Sequence, residues 1–189
     1  MSKHIGSFTP SHTSTIDLIS RKDGDFDTPV DIQFTDPEGK IWTAPAGTIT
    51  DGASIPSLLA GFFGGKLNKN HLFAAIVHDA YCGQANAGGP SYQIERWQDT
   101  HRMFHKACIA NGTRRVKANT MYAGVRLGGP RWPFNGESPN DLSRVDDSAI
   151  QAEMKYCQEW IESQGESLSL DEIDQWMDER EPFLLEHSK

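Results

Sequence analysis

Apolar positions change their period along this chain, and each change predicts an element. Val30-Asp31-Ile32-Gln33-Phe34 alternates with period two, Asp36-Pro37-Glu38-Gly39 is turn chemistry, and Lys40-Ile41-Trp42-Thr43-Ala44 resumes the extended pattern. That sequence predicts a β-hairpin. Residues 1–29 are polar, rich in Ser and Thr, with short apolar pieces such as Thr15-Ile16-Asp17-Leu18-Ile19, and read as an extended arm with one edge strand. After the hairpin, Thr50-Asp51-Gly52-Ala53-Ser54-Ile55-Pro56 is a run of small residues, and residues 57–63 predict a short helix ended by Gly64-Gly65. The run His71-Leu72-Phe73-Ala74-Ala75-Ile76-Val77-His78-Asp79-Ala80-Tyr81-Cys82 is apolar on both faces, which predicts a helix buried nearly all round and stopped by Gly83. Ile94, Trp97, His101, Phe104 and Cys108 recur at spacings of 3, 4, 3 and 4, one stripe of a helix ending at Asn111-Gly112. The short loop before it makes these two helices antiparallel neighbours. A third helix over 116–126 closes on Gly128-Gly129-Pro130-Arg131-Trp132-Pro133, an aromatic turn expected to plug the core.

Further on, Ile150, Met154, Cys157 and Ile161 form a helical stripe, and Ser169 with Glu172 has the spacing of a capping box opening a last helix through Ile173 and Trp176. The expected fold is α+β: a small N-terminal antiparallel sheet, a central helical core with an antiparallel helix pair, and a C-terminal acidic helical extension.

Charge sharpens that division. The net charge is −8, but residues 1–136 hold 14 basic and 11 acidic side chains, whereas residues 137–189 hold 4 and 15. The balances are +3 and −11, and the break coincides with the turn-rich Gly136-Glu137-Ser138-Pro139-Asn140. Three regions are therefore expected: an arm over 1–29, a core domain over 30–136, and an acidic extension over 137–189. On this reading residues 138–189 are removable without unfolding the core. Nucleic acid is excluded as a partner, because no basic stripe with interleaved aromatics occurs and the tail would repel phosphates. No run reaches the ~18 apolar residues of a membrane span and the first residues lack a signal-peptide core, so a soluble protein made in the cytoplasm is expected. Cys82, Cys108 and Cys157 lack CxxC spacing and read as buried thiols.

The chemistry centres on His78-Asp79, which the apolar helix delivers where water is scarce. Asp99 lies 21 residues after His78, on the helix expected to run back past the first. A carboxylate there would fix the imidazole tautomer and stabilise the imidazolium, leaving the other ring nitrogen to take a proton from water. Asp79 would hold a hard cation or orient a donor. His101 and His105, four apart on one helix face, have a metal-ligand spacing outside any HExxH context. Asp51 and Ser54 offer a carboxylate and a hydroxyl, although no GxSxG context marks Ser54 as a nucleophile. Against all of these stands the plainer reading that His78 and Asp79 pin their helix and that the DGAS stretch is a tight turn.

Two resemblances rest on these residues. Thr50 to Pro56, Ala74-Ala75-Ile76-Val77-His78-Asp79, Phe104, Met121-Tyr122-Ala123-Gly124-Val125-Arg126 and Gly129-Pro130-Arg131-Trp132, in that order, resemble the phage and prophage family known as domain of unknown function 1353. That resemblance covers residues 40–133 and implies a bacteriophage setting among virion, tail or lysis functions. His78-Asp79 followed by Asp99 is similar in mechanism to secreted phospholipases, whose helix His activates water beside a calcium-holding Asp. Tyr81 falls three residues after His78 where those enzymes place it four after, and their flanking cysteines and calcium loop are absent. Two functions follow. One is a virion- or tail-associated accessory protein, made in the host cytoplasm, that contacts other phage structural proteins within an oligomeric assembly. The other is a small hydrolase of cell-envelope lipid or peptidoglycan, with His78 as base, Asp99 as its orienter and Asp79 as metal or water ligand. Such a hydrolase would take a divalent metal such as calcium or zinc, which nothing in the sequence requires.

Overall fold

The computed structural model describes residues 5–51 and 71–186; the short helix expected over 57–63 lies outside them. Strand β4 (Ile32–Thr35) and strand β5 (Ile41–Ala44) form the expected hairpin, with Phe34 opposite Trp42 and Ile32 opposite Ala44. Alternation buries Ile32, Phe34, Trp42 and Ala44 on one face. The turn is tied by Asp36, whose carboxylate accepts from the backbone N–H of Glu38 and Lys40 at 3.0 and 2.9 Å and from the Trp42 indole at 3.1 Å. Gly39 completes it at φ 90°, a conformation that a Cβ disfavours.

The N-terminal region supplies three strands and not one. β1 (Ser7–Thr9) pairs antiparallel with β4, giving the sheet order β1-β4-β5. β2 (Ile19–Ser20), β3 (Phe26–Asp27) and β6 (Ile49–Thr50) form a second antiparallel sheet in the order β2-β3-β6. Two-residue strands carry no measurable alternation, so backbone pairing alone defines them. Phe8 of β1 is buried against Phe34 and Phe73, with ring centroids 5.0 and 5.5 Å away.

Helix α1 (Leu72–Cys82) is buried at every position from Phe73 to Cys82, between the hairpin and α2 (Trp97–Ala110). α2 packs in turn on α3 (Arg115–Gly128). Ile94, the expected first member of the α2 stripe, is exposed, because the chain turns at Gln93 (φ 54°) and the helix starts only at Trp97. The Trp132 plug is present: its ring is buried and its indole N–H donates to the Glu95 carbonyl at 2.8 Å. Helix α4 (Asp147–Gln164) packs on α3, and α5 (Leu170–Leu185) follows through a short 3-10 turn. The Ser169–Glu172 capping box opens α5 as expected. All three cysteines are buried thiols. The architecture is α+β, and one apolar cluster runs from Phe8 through Phe34, Ile76 and Tyr122 to Met154, Ile161 and Ile173. The core therefore continues across residue 137, where the charge balance breaks.

Candidate functional site

α1 places His78 and Asp79 on different sides. The Asp79 carboxylate is turned to β6, where the Thr50 hydroxyl donates to it at 2.6 Å. Asn86, in the turn after α1, locks this junction: its amide N–H donates to the carbonyls of Ile49 and Asp79 at 2.8 and 2.9 Å, and its oxygen accepts from the Ile49 N–H at 2.8 Å. Asp51 follows Thr50 directly, so the junction brings the Thr-Asp and His-Asp motifs to one place. Ser54 lies outside the described residues.

His78 points the other way, into the interior, and is 1% exposed. Its Nε2 lies 2.8 Å from Nδ1 of His101, one ring donating and the other accepting. Phe104 lies against the His78 ring, the two tilted by 42° with centroids 4.9 Å apart, and the Cys82 thiol, which donates to the His78 carbonyl at 3.3 Å, sits beside it. His101 is caged in turn by Trp97 and Trp132 at 5.6 and 6.4 Å. Burial drives the His78 pKa down to about 3. Burial also holds His101 well below the usual imidazole range, helped by His78 and the positive charges of Arg131 and Arg126 and opposed by the Pro130 carbonyl. Both rings are therefore neutral at pH 7. Burial and the nearby Asp79 charge push the Cys82 thiol up, so it stays protonated.

Asp99 does not meet His78. It is exposed in the first turn of α2, where a carboxylate suits the helix dipole. Two residues differ by about 200° around a helix, so the face that turns His101 to α1 turns Asp99 to solvent. Nor do His101 and His105 form a pair of ligands. His105 Nε2 donates to Asn119 Oδ1 on α3 at 2.8 Å, while His101 serves α1; four residues rotate the direction by about 40° and advance it by about 6 Å. Burial takes the His105 pKa to about 4, with the Asn119 bond opposing. Asp79, His101 and His105 are thus separated, and among the described residues no group of three His, Cys, Asp or Glu side chains converges on a metal position.

His101 as the partner of His78 is the site residue that spacing missed. Its place on the Trp97–Phe104–Cys108 stripe was the available signal, since a polar residue on a buried stripe needs a buried partner. Neither His78 nor Asp79 lines the clefts between the end of α3 and the start of α4, beside Arg102 and Arg131, or beside Asn86.

A family model described as "Protein of unknown function (DUF1353)" matches residues 28–125. The chain belongs to this family. The DUF1353 match takes in the hairpin, β6, α1, α2 and most of α3, and so the Thr50–Asp79 junction and the His78–His101 pair. Similar proteins include "Uncharacterized protein y4iH" of Sinorhizobium fredii (strain NBRC 101917 / NGR234), 29% identical over 174 residues, or 80% of this chain and 70% of that one. "Uncharacterized protein y4jT" of the same strain is 35% identical over 117 residues, 62% of this chain; the match spans 32% of that protein's length. No solved structure matches significantly.

Proposed function

We propose that this DUF1353 protein is an accessory component of a larger assembly, in the bacteriophage virion or tail setting that the family resemblance implies, and that it works through protein–protein contacts. The observation that supports this reading is the sealed His78–His101 pair. A general base needs solvent or substrate within reach and a pKa near the operating pH. His78 has neither, with 1% of its surface exposed and a pKa of about 3. Its partner is a neutral imidazole that offers no negative charge to stabilise a protonated ring. The pair acts as a polar rivet between α1 and α2.

A second reading, a small hydrolase of envelope lipid or peptidoglycan, draws on the other face of α1. There the Thr50–Asp79 hydrogen bond sits beside Asp51. One experiment separates the two. Purified protein is incubated with phospholipid vesicles and with peptidoglycan, beside His78→Ala and Asp79→Asn. The assembly reading expects no turnover by any of the three. It also expects His78→Ala to melt several degrees lower, since a lost buried polar contact costs roughly 1–3 kcal/mol. Cleavage by wild type that disappears in either variant at unchanged melting temperature would replace it with the hydrolase.

A further inference from the structure

One end of the helix bundle collects positive charge that nothing on the chain cancels. Burial lowers the pKa of the His71 ring at the start of α1, helped by the positive charge of Lys117 in the first turn of α3. Burial raises that of the Cys108 thiol near the end of α2, and the same Lys117 charge opposes it. The starts of α1 and α3 and the end of α2 therefore meet. Neither start has a side-chain cap or an acidic residue in its first turn. Asp or Glu suits that position, because the first N–H groups of a helix are unpaired and together carry about half a positive charge. α3 does the opposite: Arg114, Arg115 and Lys117 stand at its cap and first turn, where the dipole disfavours cations. None of the three pairs with a carboxylate among the described residues, whereas every other described arginine does. The α1 start is buried, with His71 2%, Phe73 4% and Ala74 0% exposed. The His71 Nδ1 atom is itself buried with no hydrogen-bond partner among the described residues. Buried polar atoms are nearly always satisfied, and an orphan at an uncapped helix start is explained by an ion that meets it.

We propose that this end of the bundle is a binding site for a phosphate group, with Arg115 and Lys117 supplying charge, the first turn of α1 supplying backbone N–H donors, and His71 donating from Nδ1. The inference goes beyond the assembly reading and does not rest on it. Helix starts receive anions readily, since the unpaired N–H groups and the dipole act together. Two such starts and three cations exceed what a carboxylate cancels. A phosphate monoester brings nearly two negative charges at pH 7 and three strong acceptor oxygens, which matches them. The ring of His71 completes the match. It is neutral while burial and Lys117 oppose its protonation; an oxyanion beside it supplies the opposite charge, so the ring takes up a proton and both its nitrogens become donors. The charged groups around that ring are Lys117, Arg114 and Arg115, and the Cys108 thiol stays protonated throughout.

The test titrates the full-length protein with inorganic phosphate while NMR follows the His71 ring protons, assigned by their loss in His71→Gln. Saturable binding is expected, with a His71 pKa that rises by about one unit or more. Arg115 and Lys117 reach solvent, so Arg115→Ala and Lys117→Ala keep the fold. Each is expected to weaken phosphate binding about tenfold, the loss of one charge-assisted hydrogen bond. Lys155→Ala, exposed on α4, is expected to leave it unchanged. Vesicles identify the source of the group. Co-sedimentation with phosphatidic acid but not phosphatidylcholine vesicles, competed by inorganic phosphate, supports a lipid headgroup; phosphate binding without vesicle binding supports a soluble phosphate ester. His71 signals that move with neither probe, or binding that survives both Arg115→Ala and Lys117→Ala, overturn the proposal. The hydrolysis assay above bears on the assembly reading alone, so the two failures are distinct.

Discussion

A buried imidazole that meets a second imidazole has no counter-charge to keep it protonated, and that single pairing sets the acid–base character of the site. His78 is neutral because burial is opposed by nothing. Placing a carboxylate at its partner changes this, since an opposite charge within hydrogen-bond reach raises an imidazole pKa by ~1–3 units. His101→Asp is therefore expected to lift the His78 pKa from about 3, read by NMR titration of its ring protons. A His78 pKa that stays near 3 in a folded His101→Asp protein would show that burial, not the partner, governs the ring. Much of the site was legible at this scale: the apolar run around His78 and Asp79 announced that both are buried. Which residue meets His78 was not legible, because Asp99 and His101 differ by two positions on α2 and helix rotation alone chooses between them.

Between elements, the tie of β6 to α1 is a side-chain clamp and not an apolar contact. Asn86 satisfies both backbone groups of Ile49 and the Asp79 carbonyl near the C-terminus of α1. Asn86→Ala removes the side-chain partner of both Ile49 backbone groups, while the Asp79 carbonyl keeps the Gly83 N–H at 2.8 Å, and the expected loss is about 1–3 kcal/mol, or several degrees of melting temperature. A melt within one degree or so of wild type would mean that water replaces the amide freely. The hairpin, α1, α3 and the α5 capping box were readable because each is specified locally, by alternation, by apolar content or by a Ser–Glu pair at fixed spacing. β2 and β3 were not, since two residues each give no period and their order depends on β6, more than 20 residues away in the chain.

For the whole molecule, acid is the first stress to consider, because several histidines are buried neutral. The unfolded chain binds protons below about pH 6.5, while His78 and His105 resist until about 3 and 4. The unfolded state thus holds more protons in that window, so the stability is intact above about 6.5 and is lost progressively as pH falls toward those folded values. From pH 7.5 to 5 each ring is expected to cost about 2 kcal/mol, measurable by urea unfolding, with the slope reduced in His105→Asn. The second whole-molecule test concerns the acidic extension. The charge break suggests an appendage, but Ile150, Met154, Ile161, Ile173, Met177 and Leu184 are all buried in the same cluster as the hairpin and α1. Burying one such side chain is worth ~1.5–3 kcal/mol, so six together rival the whole ~5–15 kcal/mol stability of a domain. Removing residues 138–189 also strips the carboxylates from Arg126 and Arg131 and leaves two buried guanidinium groups without their ion pairs. The truncated chain is therefore expected to show no cooperative melt by circular dichroism. A cooperative transition within a few degrees of the full-length protein would instead make residues 1–137 an independent folding unit, with α4 and α5 resting on its surface.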